Sequence, residues 1–135
     1  MRMSVKILLI DDETDYSETV GFWLMAHGYQ VSTASSGVEG LRAIEEELPD
    51  IVFLDFLMPG MDGIDTLREI RGKHLELPVI MVSAYASEDK MKEAGSIGIS
   101  GIFSKGAELS EAARLITETL TEMRGGHKRN NAGYK

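Results

Sequence analysis

Short apolar runs alternate along this chain with stretches in which apolar residues recur every three or four positions. Lys6-Ile7-Leu8-Leu9-Ile10 is a continuous apolar run of strand length, and it stops at Asp11-Asp12-Glu13. From about Asp15 to His27 the period turns helical, with Tyr16, Val20, Trp23 and Leu24 on one face. Gly28 is a natural residue to end that helix, and Trp23 reads as a packing residue. Tyr29 to Ala34 alternates weakly, which suits an edge strand. Ser35 or Ser36 then caps a second helix running to about Leu48, with Val38, Leu41, Ala43 and Ile44 expected on its inner side. The acidic run Glu45-Glu46-Glu47 reads as solvated surface.

The next run, Ile51-Val52-Phe53-Leu54, leads straight into Asp55 and reads as a strand buried on both faces. Pro59-Gly60 turns the chain, and Asp62 is placed to cap a helix from about Gly63 to Arg71 that presents Ile64, Leu67 and Ile70. Val79 to Val82 is another buried strand, ending at Ser83-Ala84. Ser87 caps a short helix expected to stop near Gly95, and Gly101 to Ser104 is a last strand that ends at Lys105-Gly106. A final amphipathic helix, about Glu108 to Arg124, carries Leu109, Ala112, Leu115, Ile116 and Leu120. Residues 125–135 are polar and expected to form a disordered tail after a single domain spanning 1–124. Five strands alternating with five helices predict an α/β fold with a parallel sheet. Such sheets bind ligands beyond the carboxyl ends of their strands.

Collecting the residues at those ends changes the picture. The first strand gives Asp11 and Asp12, the third Asp55, the fourth Ser83 and the fifth Lys105. Three carboxylates on one rim repel one another unless a cation intervenes, and Mg²⁺ suits carboxylate oxygens. Lys105 adds a point charge of the kind that pairs with phosphoryl oxygens, and Ser83 adds a hydroxyl donor. The sum suits a phosphoryl group, with Asp55 as the nucleophile that carries it as an acyl phosphate. Singly, each residue has a plainer reading: a helix-entry cap for Ser83, a solvated charge for Lys105, a turn for Asp11-Asp12. Five such residues at four strand ends are hard to attribute to accident.

Composition narrows the class. At 135 residues the chain suits one domain, and with no cysteine it has no disulfide or thiolate chemistry. No apolar run approaches the roughly 20 residues needed to span a bilayer, and the start lacks the apolar region of a signal peptide, so a cytoplasmic protein without membrane insertion is expected. A net charge of −8 argues against direct nucleic-acid binding and favours protein partners or cations.

With these residues in hand, the chain resembles the receiver domains of bacterial two-component response regulators, over about Lys6 to Met123. The likeness rests on Asp11-Asp12, on Asp55 followed by Pro59-Gly60 and Gly63, on Ser83-Ala84 and on Lys105. It implies a flavodoxin-like, doubly wound five-stranded parallel sheet of order 2-1-3-4-5 with five helices. It further implies that Asp55 is the phospho-acceptor, and that Asp12, Asp55 and the backbone carbonyl of Leu57 ligate Mg²⁺ directly, with Asp11 acting through water. Ser83 and Lys105 would bind the phosphoryl oxygens. The donor would be a phosphohistidine on a sensor histidine kinase or a histidine phosphotransfer protein. The first helix would dock that donor, where Phe22 and Met25 fall off the core stripe. A downstream protein target would receive the signal, since no further domain follows in this sequence. The chain would catalyse only its own phosphorylation and autodephosphorylation. It departs from the family pattern in placing Ile102 where an aromatic residue is usual, Gly106 where proline is usual, and Leu57 and Tyr85 where many relatives are polar.

Two other readings compete. A haloacid-dehalogenase-type phosphatase also uses a strand-end aspartate, but it wants a second aspartate two residues on, where this chain has Leu57. A degenerate receiver would act as a phosphorylation-independent interaction module, and the full set of acids with Ser83 and Lys105 argues against it.

Overall fold

Side chains along a strand alternate between its two faces, and in this protein both faces are covered. In the computed structural model, which describes residues 4–124, Leu8, Ile10, Val52, Leu54, Val79 and Met81 face one apolar layer. Ile7, Leu9, Ile51, Phe53, Ile80, Val82 and Phe103 face the other. The first layer is closed by Ile44, Ile64, Leu67, Ile70 and Ala94, the second by Val20, Leu24, Ala112 and Ile116.

The elements run β1 (Lys6–Ile10), α1 (Thr14–Ala26), β2 (Gln30–Ala34), α2 (Gly37–Glu46), β3 (Ile51–Asp55), α3 (Gly63–Lys73), β4 (Val79–Ser83), α4 (Glu88–Ile97), β5 (Gly101–Ser104) and α5 (Leu109–Arg124). All strand pairs are parallel and the order is β2-β1-β3-β4-β5, as expected. Helices α2, α3 and α4 therefore cover one face, and α1 with α5 the other. The expected tail at 125–135 lies outside the described residues.

Local signals account for most boundaries. Gly28, at φ +95°, ends α1 in a conformation that a Cβ disfavours. The Ser36 hydroxyl accepts from the Glu39 amide, while the Glu39 carboxylate accepts from the Ser35 amide, so α2 opens on a reciprocal cap. Asp62 caps α3 by accepting from the Asp65 amide at 3.0 Å, and Ser87 caps α4 through the Lys90 amide.

Three expectations are corrected. Val38 is 53 % exposed, because Gly37, Gly40 and Ile44 form the buried side of α2. A Cβ on Gly40 would lie 2.4 Å from the Ile10 side chain, so β1 is approached at a glycine rather than at the valine. Helix α2 also stops at Glu46, leaving Leu48 exposed ahead of buried Pro49. Helix α4 passes through Gly95 and ends at Ile97, where Gly98 at φ +119° provides the stop.

Candidate functional site at the strand ends

Register alone gathers the residues singled out above. Ile10 pairs with Leu54, Asp55 with Val82 and Ser83 with Ser104. The residues that follow β1 and β5, Asp11 and Lys105, therefore emerge on the same rim as Asp55 and Ser83. Asp11 and Asp55 are buried while Asp12 is exposed, and one oxygen from each carboxylate lies within 4.8 Å of the others. Ser83 is half-buried at the end of β4. Its carbonyl accepts from the Lys105 amide at 3.0 Å, and its hydroxyl has no hydrogen-bond partner among the described residues.

The loop behind Asp55 is held close to it. Gly60 turns at φ +77°, and the Gly63 amide donates to the Phe56 carbonyl at 3.0 Å. A Cβ on Gly63 would sit 2.2 Å from the Asp55 carbonyl oxygen, so only glycine lets α3 begin directly against the end of β3. The Leu57 amide reaches Asp55 Oδ1 at a long 3.4 Å, while the Leu57 side chain is exposed.

Lys105 dominates the electrostatics. Its ammonium lies 2.9 Å from Asp11 Oδ2 and 3.4 Å from Asp55 Oδ2, and it also contacts Glu13. It sits 4.7 Å from the centre of the Tyr16 ring. Burial works against the charged ammonium, but the hydrogen bond to Glu13 and the ion contacts with Asp11 and Asp55 outweigh it, and the pKa rises above the ordinary lysine range. Asp55 is pushed up to about 6, by burial first and then by the Asp11 charge, with Lys105 pulling the other way. Burial likewise lifts the Tyr16 phenol to about 12. Asp55 is thus a carboxylate kept at the edge of protonation by its surroundings.

The donor set fits a hard divalent cation. Asp11 Oδ2 is buried and, although in ion contact with Lys105, has no properly directed hydrogen bond. One ammonium set among Asp11, Glu13 and Asp55 leaves negative charge uncompensated, as sites built for a cation do.

Two residues at this site went unmarked in the sequence. Glu13 reads as the end of an acidic turn and Tyr16 as one more apolar position of α1, yet both touch the Lys105 ammonium. Lys105 lies 92 residues from Glu13 in the chain, and no local pattern joins them. The region around Ile102 is also clearer. Phe103 is 1 % exposed and packs edge-on against Phe53, with ring centres 6.1 Å apart, whereas Ile102 points to the opposite face and is 38 % exposed. The Lys105–Gly106 peptide is trans.

Comparison with known proteins agrees with this geometry. The family model described as response regulator receiver domain matches residues 7–117. The chain belongs to the response regulator receiver family. It is similar to a CheY-like receiver from Methanospirillum hungatei, with 26 % identity and TM-score 0.88 over 93 % of this chain and 100 % of that one. A receiver domain from Clostridium thermocellum matches at 30 % identity and TM-score 0.85, covering 91 % and 99 % of the two chains. The receiver domain of NtrX from Brucella abortus matches at 31 % identity and TM-score 0.80, covering 85 % and 98 %. Acceptance of a phosphoryl group is general to this family, and so is interaction with a kinase or phosphotransfer protein that donates it. No helix among the described residues of this receiver is long and apolar enough to cross a membrane.

Proposed function

We propose that this receiver takes a phosphoryl group from a phosphohistidine onto Asp55 and thereby switches a protein-binding surface. The observation that carries the reading is the meeting of the Asp11, Asp12 and Asp55 carboxylates within 4.8 Å, with Lys105 at 3.4 Å from Asp55. An Asp55 oxygen attacks phosphorus, the P–N bond to the donor imidazole breaks, and the bonding pair leaves on the imidazole nitrogen. Even with its pKa raised to about 6, the carboxylate is mainly ionised at pH 7, so no separate base is required. Lys105 follows the charge from the carboxylate to the new phosphoryl oxygens, and the uncommitted Ser83 hydroxyl donates to one of them. Asp12, Asp55 and the Leu57 carbonyl would hold Mg²⁺ directly, with Asp11 one water away. Bound there, Mg²⁺ supplies charge neutralisation for the transferring group.

The donor is a sensor histidine kinase or a histidine phosphotransfer protein in the cytoplasm. Phe22 and Met25 on α1, 70 % and 49 % exposed, offer it an apolar landing face. Output passes to a downstream protein, and the domain catalyses nothing beyond the formation and loss of its own acyl phosphate. The test is labelling with acetyl phosphate followed by intact mass. Wild type gains one phosphoryl group in Mg²⁺, EDTA abolishes the gain, and Asp55→Asn gains none. Labelling of that variant at the wild-type level would overturn the assignment, and no labelling of wild type would favour an interaction-only module.

A further inference from the structure

The Lys105 ammonium has two kinds of neighbour, three carboxylates and one aromatic face. Asp11 and Asp55 are buried and fixed at the ends of their strands, but the Glu13 side chain is 62 % exposed at the start of α1. Among the carboxylates alone, the exposed Glu13 pulls the flexible lysine stem outward, against Asp11 and Asp55. The Tyr16 ring opposes that drift. It belongs to the first turn of α1, packs on the layer that contains Leu9, Val20, Phe53 and Phe103, and presents its face to the ammonium at 4.7 Å. Its hydroxyl is buried without a hydrogen-bond partner among the described residues, so no polar contact at the ring's tip accounts for its placement. Attraction of a partly desolvated ammonium to a π face, together with packing, does.

We propose that Tyr16 is a positioning residue for Lys105. Its ring holds the ammonium inward over Asp11 and Asp55, against the pull of Glu13, and so keeps it where a phosphoryl group on Asp55 would need it. The inference rests on the phospho-acceptor reading of Asp55. Glu13 and Tyr16 then act in opposite directions on one cation: the exposed carboxylate retards transfer and the ring favours it.

The experiment reads position and rate separately. In the unphosphorylated protein, ring current should move the Lys105 Hε resonances upfield of ordinary lysine values. Tyr16→Phe should keep that shift and Tyr16→Leu should lose it, with the remaining core resonances in place. Labelling by acetyl phosphate in Mg²⁺ should slow about tenfold in Tyr16→Leu, the scale of a partly desolvated cation–π contact. Tyr16→Phe should recover the faster rate. Adding Glu13→Gln to Tyr16→Leu should restore most of the loss, a coupling that general damage to α1 does not produce. If wild type labels and Tyr16→Leu labels equally fast, or if Glu13→Gln does not rescue it, the positioning role is wrong. If wild type itself takes no phosphoryl group while its Lys105 shift is normal, the acceptor reading has failed instead, and the inference falls with it.

Discussion

Lys105 Nζ rests 3.4 Å from Asp55 Oδ2, an ion contact between the ends of β5 and β3, two strands that have β4 between them. The contact relieves only part of the cost of burying Asp55, whose pKa stays raised at about 6 from an ordinary 3.8. The sign of the consequence is definite. Between about pH 4 and pH 6 the folded protein holds this proton more tightly than the unfolded chain, so stability falls as pH climbs through that window. Without divalent cation, Asp55→Asn should melt a few degrees above wild type at pH 7.5, on the order of 1 kcal/mol after solvent screening at the open rim. The gap should close as pH drops below 5. Mg²⁺ should raise the melting temperature of wild type more than that of the variant. Calorimetry across pH 4–8 with and without Mg²⁺ checks all three.

Phe22 stands 70 % exposed on α1, with little to lose from truncation in the folded state. Phe22→Ala should slow phosphoryl transfer from the cognate phosphohistidine donor about tenfold or more, the effect expected of an interface anchor. It should leave the melting temperature and acetyl-phosphate labelling as in wild type. Equal loss in both labelling assays would show damage to the fold rather than to docking.

Hydrolysis of an acyl phosphate needs a water in line behind phosphorus. Leu57 and Tyr85, two residues after Asp55 and Ser83, are exposed bulky side chains, with no carboxylate or amide to orient that water. Autodephosphorylation should therefore be slow. Leu57→Asn with Tyr85→Glu should accelerate it about tenfold, less than the roughly hundredfold or more of a fully positioned acid–base group. A decay rate unchanged by the double variant would sink this account.

Conformational output should concentrate at the start of α4. The far end of that helix is held by Arg71, whose Nε donates to the Gly98 carbonyl at 3.0 Å, while its Nη1 donates to the carbonyls of His74 and Leu77. Arg68 adds an ion pair to Glu93. The near end follows Ser83, the residue a phosphoryl group on Asp55 would draw inward. Phe103 cannot serve as the moving aromatic, because it is locked against Phe53 in the core. Beryllofluoride should thus shift NMR resonances from Ser83 to about Lys92 with little rotation of Ile102. An Ile102→Ala variant that binds the mimic yet loses this response would make Ile102 the switch.

The order of elements, the two-sided burial of β1, β3 and β4, and the rim residues Asp11, Asp12, Asp55, Ser83 and Lys105 were all legible in the sequence. They follow from short-range rules: an apolar run that stops at a charged or polar residue marks a strand and its end, and caps mark helix starts. Tertiary structure decided what depends on long-range approach. Val38 lies outside because Gly40 is the residue that allows α2 onto Ile10, a close packing that helical periodicity does not encode. Glu13 and Tyr16 join the site only when β5 brings Lys105 across to the start of α1. The raised pKa of Asp55 arises in the same way, since desolvation and the Asp11 charge act only once two distant strand ends share one low-dielectric rim.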